Sequence, residues 1–322
     1  MNNDPVIVIG AGHASGLFAE ALRKEGYDGP LCLVGEEKHL PYQRPPLSKD
    51  FLSGKMAVER LPLRSESFYE KKNITLKLGQ RVGSVDPAAK HITLETGERL
   101  SYGTLVFATG TRPRLLETAG THSKKLFYVR TIDDVERLKK QFDEAQSVTI
   151  IGAGFIGLEV AAVAASATKK VTVIERENRF MPRVVAPILS DFYKEYHAAK
   201  GVQALFDASV IDIVENSNGS ITVMLGNGDA VTSDIVVVGI GVIPNSEVAQ
   251  EAGLQIFNGI AVDAHCRTSD PHIFAIGECS LFTHRVYGPL RLESVQNAQD
   301  QARVAAANIV GNSITYDVVP WF

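Results

Sequence analysis

Two stretches decide the fold of this chain: VIVIGAGHASG, Val6 to Gly16, and VTIIGAGFIG, Val148 to Gly157. Each opens with a β-branched apolar run that reads as a buried strand, breaks at a glycine and continues into an alanine-rich pattern that reads as a helix. Strand, glycine turn and helix in that order begin a mononucleotide-binding unit. The first glycine permits the tight turn, the second lets a pyrophosphate approach the backbone, and the helix N-terminus supplies free amides and the positive end of its dipole. Gly10 and Gly12 hold these positions in the first loop, with Ser15 where the pattern has a third glycine. Serine is small enough for close helix packing. The second loop carries the full pattern in Gly152, Gly154 and Gly157.

A second strand follows each loop and ends in an acid. LCLVG runs into Glu36 and Glu37, and KVTVI into Glu175. A carboxylate there accepts hydrogen bonds from the ribose hydroxyls of an adenosine, and Glu175 would repel the 2′-phosphate of NADP, so the second site is expected to prefer NADH. Arg176, its neighbour, either accommodates such a phosphate in part or points to solvent. The segments NITLKLG, HITLET and LSYGTLVFATG then predict a β-meander that returns to a buried strand at Leu105–Ala108. SITVML and AVTSDIVVVGIG repeat that pattern up to Ile235–Gly241, so the chain reads as one module used twice.

Length and composition agree with two modules. The chain has 322 residues, too many for one ordinary core, with 45% hydrophobic residues, 22% charged and a net charge of -4. That balance excludes a strongly basic nucleic-acid binder. MNNDPVIVIG enters a strand with no basic and apolar leader before it, and no apolar run approaches the length of a membrane span, so a cytoplasmic protein without a membrane segment is expected. Cys32, Cys266 and Cys279 are far apart and odd in number, which fits a reducing compartment. The eight histidines are scattered, and no metal site is expected.

With these come further blocks: LPYQRPPLSK (Leu40–Lys49), VFATGTRPR (Val106–Arg114), VRTIDD (Val129–Asp134), IGAGFIGLEVA (Ile151–Ala161), IPNSEVA (Ile243–Ala249), IFAIGECS (Ile273–Ser280) and RLESVQNAQDQAR (Arg291–Arg303). Ordered along nearly the whole chain, they resemble the FAD-dependent ferredoxin reductases, the NADH-linked flavoproteins that feed rubredoxins and [2Fe-2S] ferredoxins of oxygenase systems. The resemblance implies an α/β protein with two Rossmann-like three-layer domains. An FAD domain at 1–115 and 246–322 is expected to carry an inserted NAD domain at 116–245. It implies hydride transfer from NADH to FAD and single-electron transfer to a small iron–sulfur protein. An NADH-responsive interaction module resembling apoptosis-inducing factor, or an NADH oxidase, is the alternative. The resemblance implies a smaller C-terminal domain past the PWF block, and the end of this sequence at Phe322 reads as a truncation or a natural short form, truncation being favoured because Tyr316–Phe322 reads like the beginning of a block.

Carried over position by position, the resemblance makes Lys49 and Glu159 the catalytic candidates, paired because an unpaired ammonium in an interior is costly. The cofactor-binding candidates are Gly10, Gly12, His13, Ala14, Ser15, Glu36, Arg44, Lys49, Val82, Ala108, Thr109, Gly110, Arg130, Gly152, Gly154, Phe155, Ile156, Glu159, Glu175, Arg183, Gly241, Gly277, Glu278, Glu293, Ser294, Val295 and Trp321. Glu278 stands where the family has an aspartate directed at the flavin's ribityl chain, one methylene longer. The bland readings remain open beside these. Lys49 and Arg44 are then loop cations, RPPLSK is a turn leading into a helix that Ser48 caps, and Cys279 is a small packed residue. The redox cysteine pair of disulfide reductases would fall in LPYQRPPLSK and is missing there, so no thiol relay is expected.

Overall fold

The computed structural model describes residues 4–317. The chain forms two compact units, one of Met1–Gln43, Pro62–Arg112 and Pro244–Phe322, the other of Arg44–Leu61 and Pro113–Ile243. The segment Arg44–Leu61, expected with the first module, thus belongs to the second unit.

In the first unit a five-stranded parallel sheet runs Ile273–Ala275, Thr104–Phe107, Val6–Ile9, Leu31–Gly35, Ile74–Leu78 in spatial order. Every residue of Val6–Ile9 is buried because both faces of its sheet are covered. Val6 and Val8 point into a cluster with Phe18 and Leu22 of helix His13–Lys24 and Ala302, Ala305 and Ala306 of helix Val295–Ile309. Ile7 and Ile9 point the other way, towards Val85, Ile92 and Leu94 of the antiparallel strands Val82–Asp86 and His91–Leu94. The two-residue strand period therefore builds helix, sheet and meander layers. Each fully buried aliphatic side chain contributes about 1.5–3 kcal/mol.

The second unit repeats this architecture. Its parallel sheet runs Val202–Leu205, Lys170–Ile174, Ser147–Ile151, Ile235–Val238, Leu126–Tyr128. Strands Val210–Glu215, Ile221–Leu225 and Ala230–Ser233 form its meander. The fifth strand comes from the C-terminal part of the chain in the first unit and from just before the glycine module in the second. Among the described residues no helix is long and apolar enough to cross a membrane.

The meander differs from the expectation. Ile74–Leu78 is not its first strand but pairs in parallel with Leu31–Gly35. The first meander strand is Val82–Asp86, where Gly83 and Ser84 interrupt the alternation and the register shifts between Val82 and Ser84. A half-buried parallel edge strand and a meander strand share one two-residue period, so the pattern alone does not separate them. The helix Glu66–Lys71 that precedes Ile74–Leu78 supplies the crossover a parallel neighbour needs.

One acid ties the second sheet together at the start of Ser147–Ile151. Asp234 Oδ2 accepts from the amides of Gln146 and Ser147 at 2.9 and 2.8 Å and from Ser147 Oγ at 2.8 Å. Burial pushes the Asp234 carboxyl up, and these hydrogen bonds more than offset it, holding the group below its ordinary value. A depressed carboxyl contributes stability above its unfolded value and loses it as pH falls through the folded one. Asp234→Ala is therefore expected to cost about 2 kcal/mol near neutral pH. Its melting difference from the unsubstituted protein should shrink as pH drops below about 4. Thermal unfolding at several pH values measures both; a difference that grows in acid would refute the assignment.

Candidate functional site: two glycine loops and an ion pair

In the first unit the segments after Val6–Ile9, Thr104–Phe107 and Ile273–Ala275 leave the C-terminal edge of the sheet side by side, the edge where open α/β sheets bind ligands. Gly10 has φ +106°, and a Cβ there would lie 2.3 Å from the Ala108 carbonyl oxygen, so only glycine fits. Helix His13–Lys24 starts after Gly12 with no side-chain cap, an N-terminus of the kind that suits an anion. His13 is half-buried and Ala14 buried. Ser15 is fully buried, and its hydroxyl has no hydrogen-bond partner among the described residues.

Across the same edge, Thr109 and Asn245 exchange hydrogen bonds, Thr109 Oγ1 donating to Asn245 O at 2.6 Å and Asn245 Nδ2 to Thr109 O at 2.9 Å. Gly110, at φ +61°, accepts the Asn245 amide. Gly277 comes so close to the loop helix that a Cβ on it would lie 3.0 Å from Ala14 Cβ, and its amide donates to Gln301 Oε1 at 2.7 Å. Glu278 accepts from the buried Thr111 hydroxyl at 2.7 Å. Arg291 joins the Glu278 carbonyl to the carboxylate of Glu293. Ser294 caps helix Val295–Ile309, and Val295 is exposed at its first turn. Glu36 is exposed and 3.4 Å from Arg81. The Val82 side chain lies in the core beneath the meander. Trp321 lies outside the described residues.

The second loop has the same construction. Gly152 has φ +99°, with the Gly239 oxygen 2.4 Å from where a Cβ would stand, and a Cβ on Gly157 would lie 2.0 Å from Gly152 O. Those two glycines are required by the fold itself. Gly154 is different: its φ is -79°, and a Cβ there would meet nothing within 4 Å. Helix Phe155–Ser166 begins after it without a side-chain cap. The space in front of an uncapped helix N-terminus is what a diphosphate fills, so the residues fit a bound dinucleotide. Two other helices do carry side-chain caps, Thr131 and Asp134 forming a capping box on Ile132–Phe142 and Ser294 capping Val295–Ile309, while Glu66–Lys71, Pro187–Ala199 and Glu247–Glu251 have none.

Glu175 braces the second loop, Oε2 accepting from the Ala153 amide at 2.7 Å and Oε1 from Glu177 at 2.9 Å. Arg176 is exposed and sits 3.2 Å from Glu177. Phe155, Ile156, Arg183 and Gly241 are exposed around the unit, Gly241 at φ +103°.

Arg44, Lys49, Arg130 and Glu159 all belong to the second unit. Arg44 donates to the Arg130 carbonyl at 2.6 Å. Lys49 Nζ lies 2.6 Å from Glu159 Oε1 and 3.1 Å from the Pro45 carbonyl. Ser48 does not cap a helix: Pro45–Ser48 is a single 3-10 turn with no side-chain cap, and the Ser48 hydroxyl donates to Glu159 Oε2. Two prolines and a serine suit a helix start in sequence, but the turn stops at Lys49, whose φ of -126° and ψ of -107° leave the helical region. Ser48, Thr111, Arg291 and Gln301 were not among the expected site residues. Ser48, Thr111 and Gln301 are defined by partners 111, 167 and 24 residues away, and Arg291 by Glu278, 13 residues away, and its neighbour Glu293; no local pattern announces them.

Two uncapped glycine loops at the carboxyl edges of two parallel sheets suit a protein that holds two nucleotides. The model of the pyridine nucleotide-disulphide oxidoreductase family matches residues 4–302, and the chain belongs to that family. A ferredoxin–NAD(P)(+) reductase of Sphingomonas sp is 40% identical over 320 residues, 98% of this chain and 77% of that protein. Rhodocoxin reductase of Rhodococcus erythropolis is 41% identical over 318 residues, 98% of this chain and 74% of the relative. Among solved structures, the ferredoxin reductase for the CYP199A2 system of Rhodopseudomonas palustris superposes with a TM-score of 0.96 at 42% identity, covering 99% of this chain and 79% of that one. Putidaredoxin reductase, in a covalent complex with putidaredoxin, gives 0.95 at 38% identity, covering 100% of this chain and 79% of its own.

Proposed function

We propose that this chain takes hydride from NADH onto FAD and passes the electrons singly to a [2Fe-2S] ferredoxin or rubredoxin that serves an oxygenase. On this reading the first unit holds FAD, the inserted second unit holds NAD, and the protein works in the cytoplasm. The observation that carries it is the Lys49–Glu159 pair, with Glu159 near the start of the uncapped loop helix Phe155–Ser166, in a chain whose relatives are named as reductases of such acceptors.

When bound, the flavin supplies a group that accepts two electrons and releases them one at a time. The chain's residues supply the rest. Loop amides and helix dipoles bind the two diphosphates, and the open position at Gly154 leaves room for one of them. Glu159 holds the Lys49 ammonium, which would offer positive charge to a bound cofactor that gains negative charge on reduction. No thiol is suited to relay electrons. Burial pushes the Cys32 thiol up to about 11 and raises Cys266 and Cys279 as well. On this reading the electrons leave for an external acceptor, since the three cysteines are free and form no disulfide pair.

Flavin released by heat should chromatograph as FAD, and an FMN peak would refute the first-loop assignment. Anaerobic stopped-flow mixing with NADH should bleach the flavin, and adding a [2Fe-2S] ferredoxin should restore it rapidly; a long-lived reduced complex that discharges slowly would favour the interaction-module reading. Glu175 is expected to enforce the nucleotide preference. Its two oxygens accept from the Ala153 and Glu177 amides; Glu175→Gln removes the charge and keeps one acceptor oxygen, enough for the Ala153 amide, and should narrow the NADH-over-NADPH ratio in kcat/KM by about tenfold. Equal use of both nucleotides by the unsubstituted protein would contradict that role.

A further inference from the structure

We infer that Ser48 is a positioning residue for hydride transfer, acting through Glu159; the inference rests on the proposed reading of the Lys49–Glu159 pair. Adjacent residues of one turn serve the two oxygens of one carboxylate, Ser48 Oγ donating to Oε2 and Lys49 Nζ lying 2.6 Å from Oε1. Lys49 is 46% exposed and Glu159 25%. An ion pair so open to water holds neither long side chain in one place. Ser48 supplies what that pair lacks: it is 1% exposed, on a short side chain, in a turn stiffened by Pro45 and Pro46. A hydrogen bond from a fixed, dry hydroxyl to a carboxylate is charge-assisted and directional. It fixes the Glu159 rotamer, and Glu159 then fixes the ammonium.

Among the described residues the Ser48 hydroxyl has one hydrogen bond, to Glu159, and it serves no backbone group of its own turn. The Lys49 amide already donates to the Pro46 carbonyl at 3.0 Å, so the turn closes without it. Removing the Ser48 oxygen is therefore expected to leave the fold intact and loosen the pair.

The test uses the flavin-loaded protein with Ser48→Ala, Ser48→Thr, Glu159→Ala and the Ser48→Ala/Glu159→Ala double replacement. Three quantities are read: the limiting rate of anaerobic flavin reduction by NADH, the charge-transfer absorbance of the reduced protein with NAD+, and the flavin midpoint potential. Ser48→Ala should slow reduction about tenfold, the loss expected for one hydrogen bond to a charged group, with the apparent affinity for NADH little changed. It should also move the charge-transfer band and the potential in the direction that Glu159→Ala moves them. Ser48→Thr, which keeps the hydroxyl, should restore all three. In the Glu159→Ala background Ser48→Ala should add nothing. Equal effects of Ser48→Ala in both backgrounds, or unsubstituted values for Ser48→Ala alone, overturn the inference. If instead NADH fails to reduce the unsubstituted protein, or Lys49→Ala and Glu159→Ala leave the rate unchanged, the functional reading itself fails. Should Ser48→Ala lose flavin or helical content, Ser48→Cys, which keeps a weaker donor of similar shape, should give an intermediate rate; a rate equal to the unsubstituted one overturns the inference.

Discussion

Lys49→Ala is expected to slow anaerobic flavin reduction by NADH roughly a hundredfold, the usual loss when one preorganised group facing developing charge is removed. It should do so without moving the melting temperature, because a pair in which Lys49 is 46% exposed contributes little to stability. Glu159→Ala leaves the ammonium without its carboxylate and should disturb nicotinamide binding as well as rate. If the two side chains work as a unit, the double replacement costs less than the two single losses combined, and a double-mutant cycle on the reduction rate measures the coupling. Strictly additive losses would return Lys49 to the status of a loop cation.

The second large effect separates glycines the fold needs from one the ligand needs. Gly10→Ala forces an L side chain to φ +106° and drives its Cβ to 2.3 Å from the Ala108 oxygen, in rigid backbone that cannot step aside. A loss of about 3 kcal/mol or more is expected, with protein recovered colourless or insoluble. Gly154→Ala makes the opposite case. Its φ is unremarkable at -79° and its Cβ would enter open space, so the cost is about that of a poorer helix N-cap, about 1 kcal/mol. Its methyl group would nevertheless occupy the space a diphosphate needs, and NADH affinity should fall at least tenfold while the flavin stays bound. Melting curves beside NADH titrations decide the matter. Unchanged NADH affinity in Gly154→Ala would mean that the open space is not the dinucleotide cradle.

What became visible in sequence is what local chemistry dictates. The β-branched runs Val6–Ile9 and Ser147–Ile151, the glycines after them and the alanine-rich helices beyond have one structural solution each, and the repetition of the module was readable for the same reason. The order of the blocks carried the family. Tertiary structure decided everything that depended on which segment meets which. Ile74–Leu78 and Val202–Leu205 carry a pattern that suits an antiparallel ribbon as well as a parallel edge, and pairing with Leu31–Gly35 and Lys170–Ile174 made them the latter. The segment Arg44–Leu61 adjoins the first module in the chain and belongs to the second unit in space. Ser48 reads as a helix cap from its neighbours and becomes a donor to Glu159, 111 residues further along. Local periodicity and turn chemistry act over a few residues and are written in the sequence. A hydrogen bond between distant residues depends on the packing of the whole unit, and no window of sequence contains it.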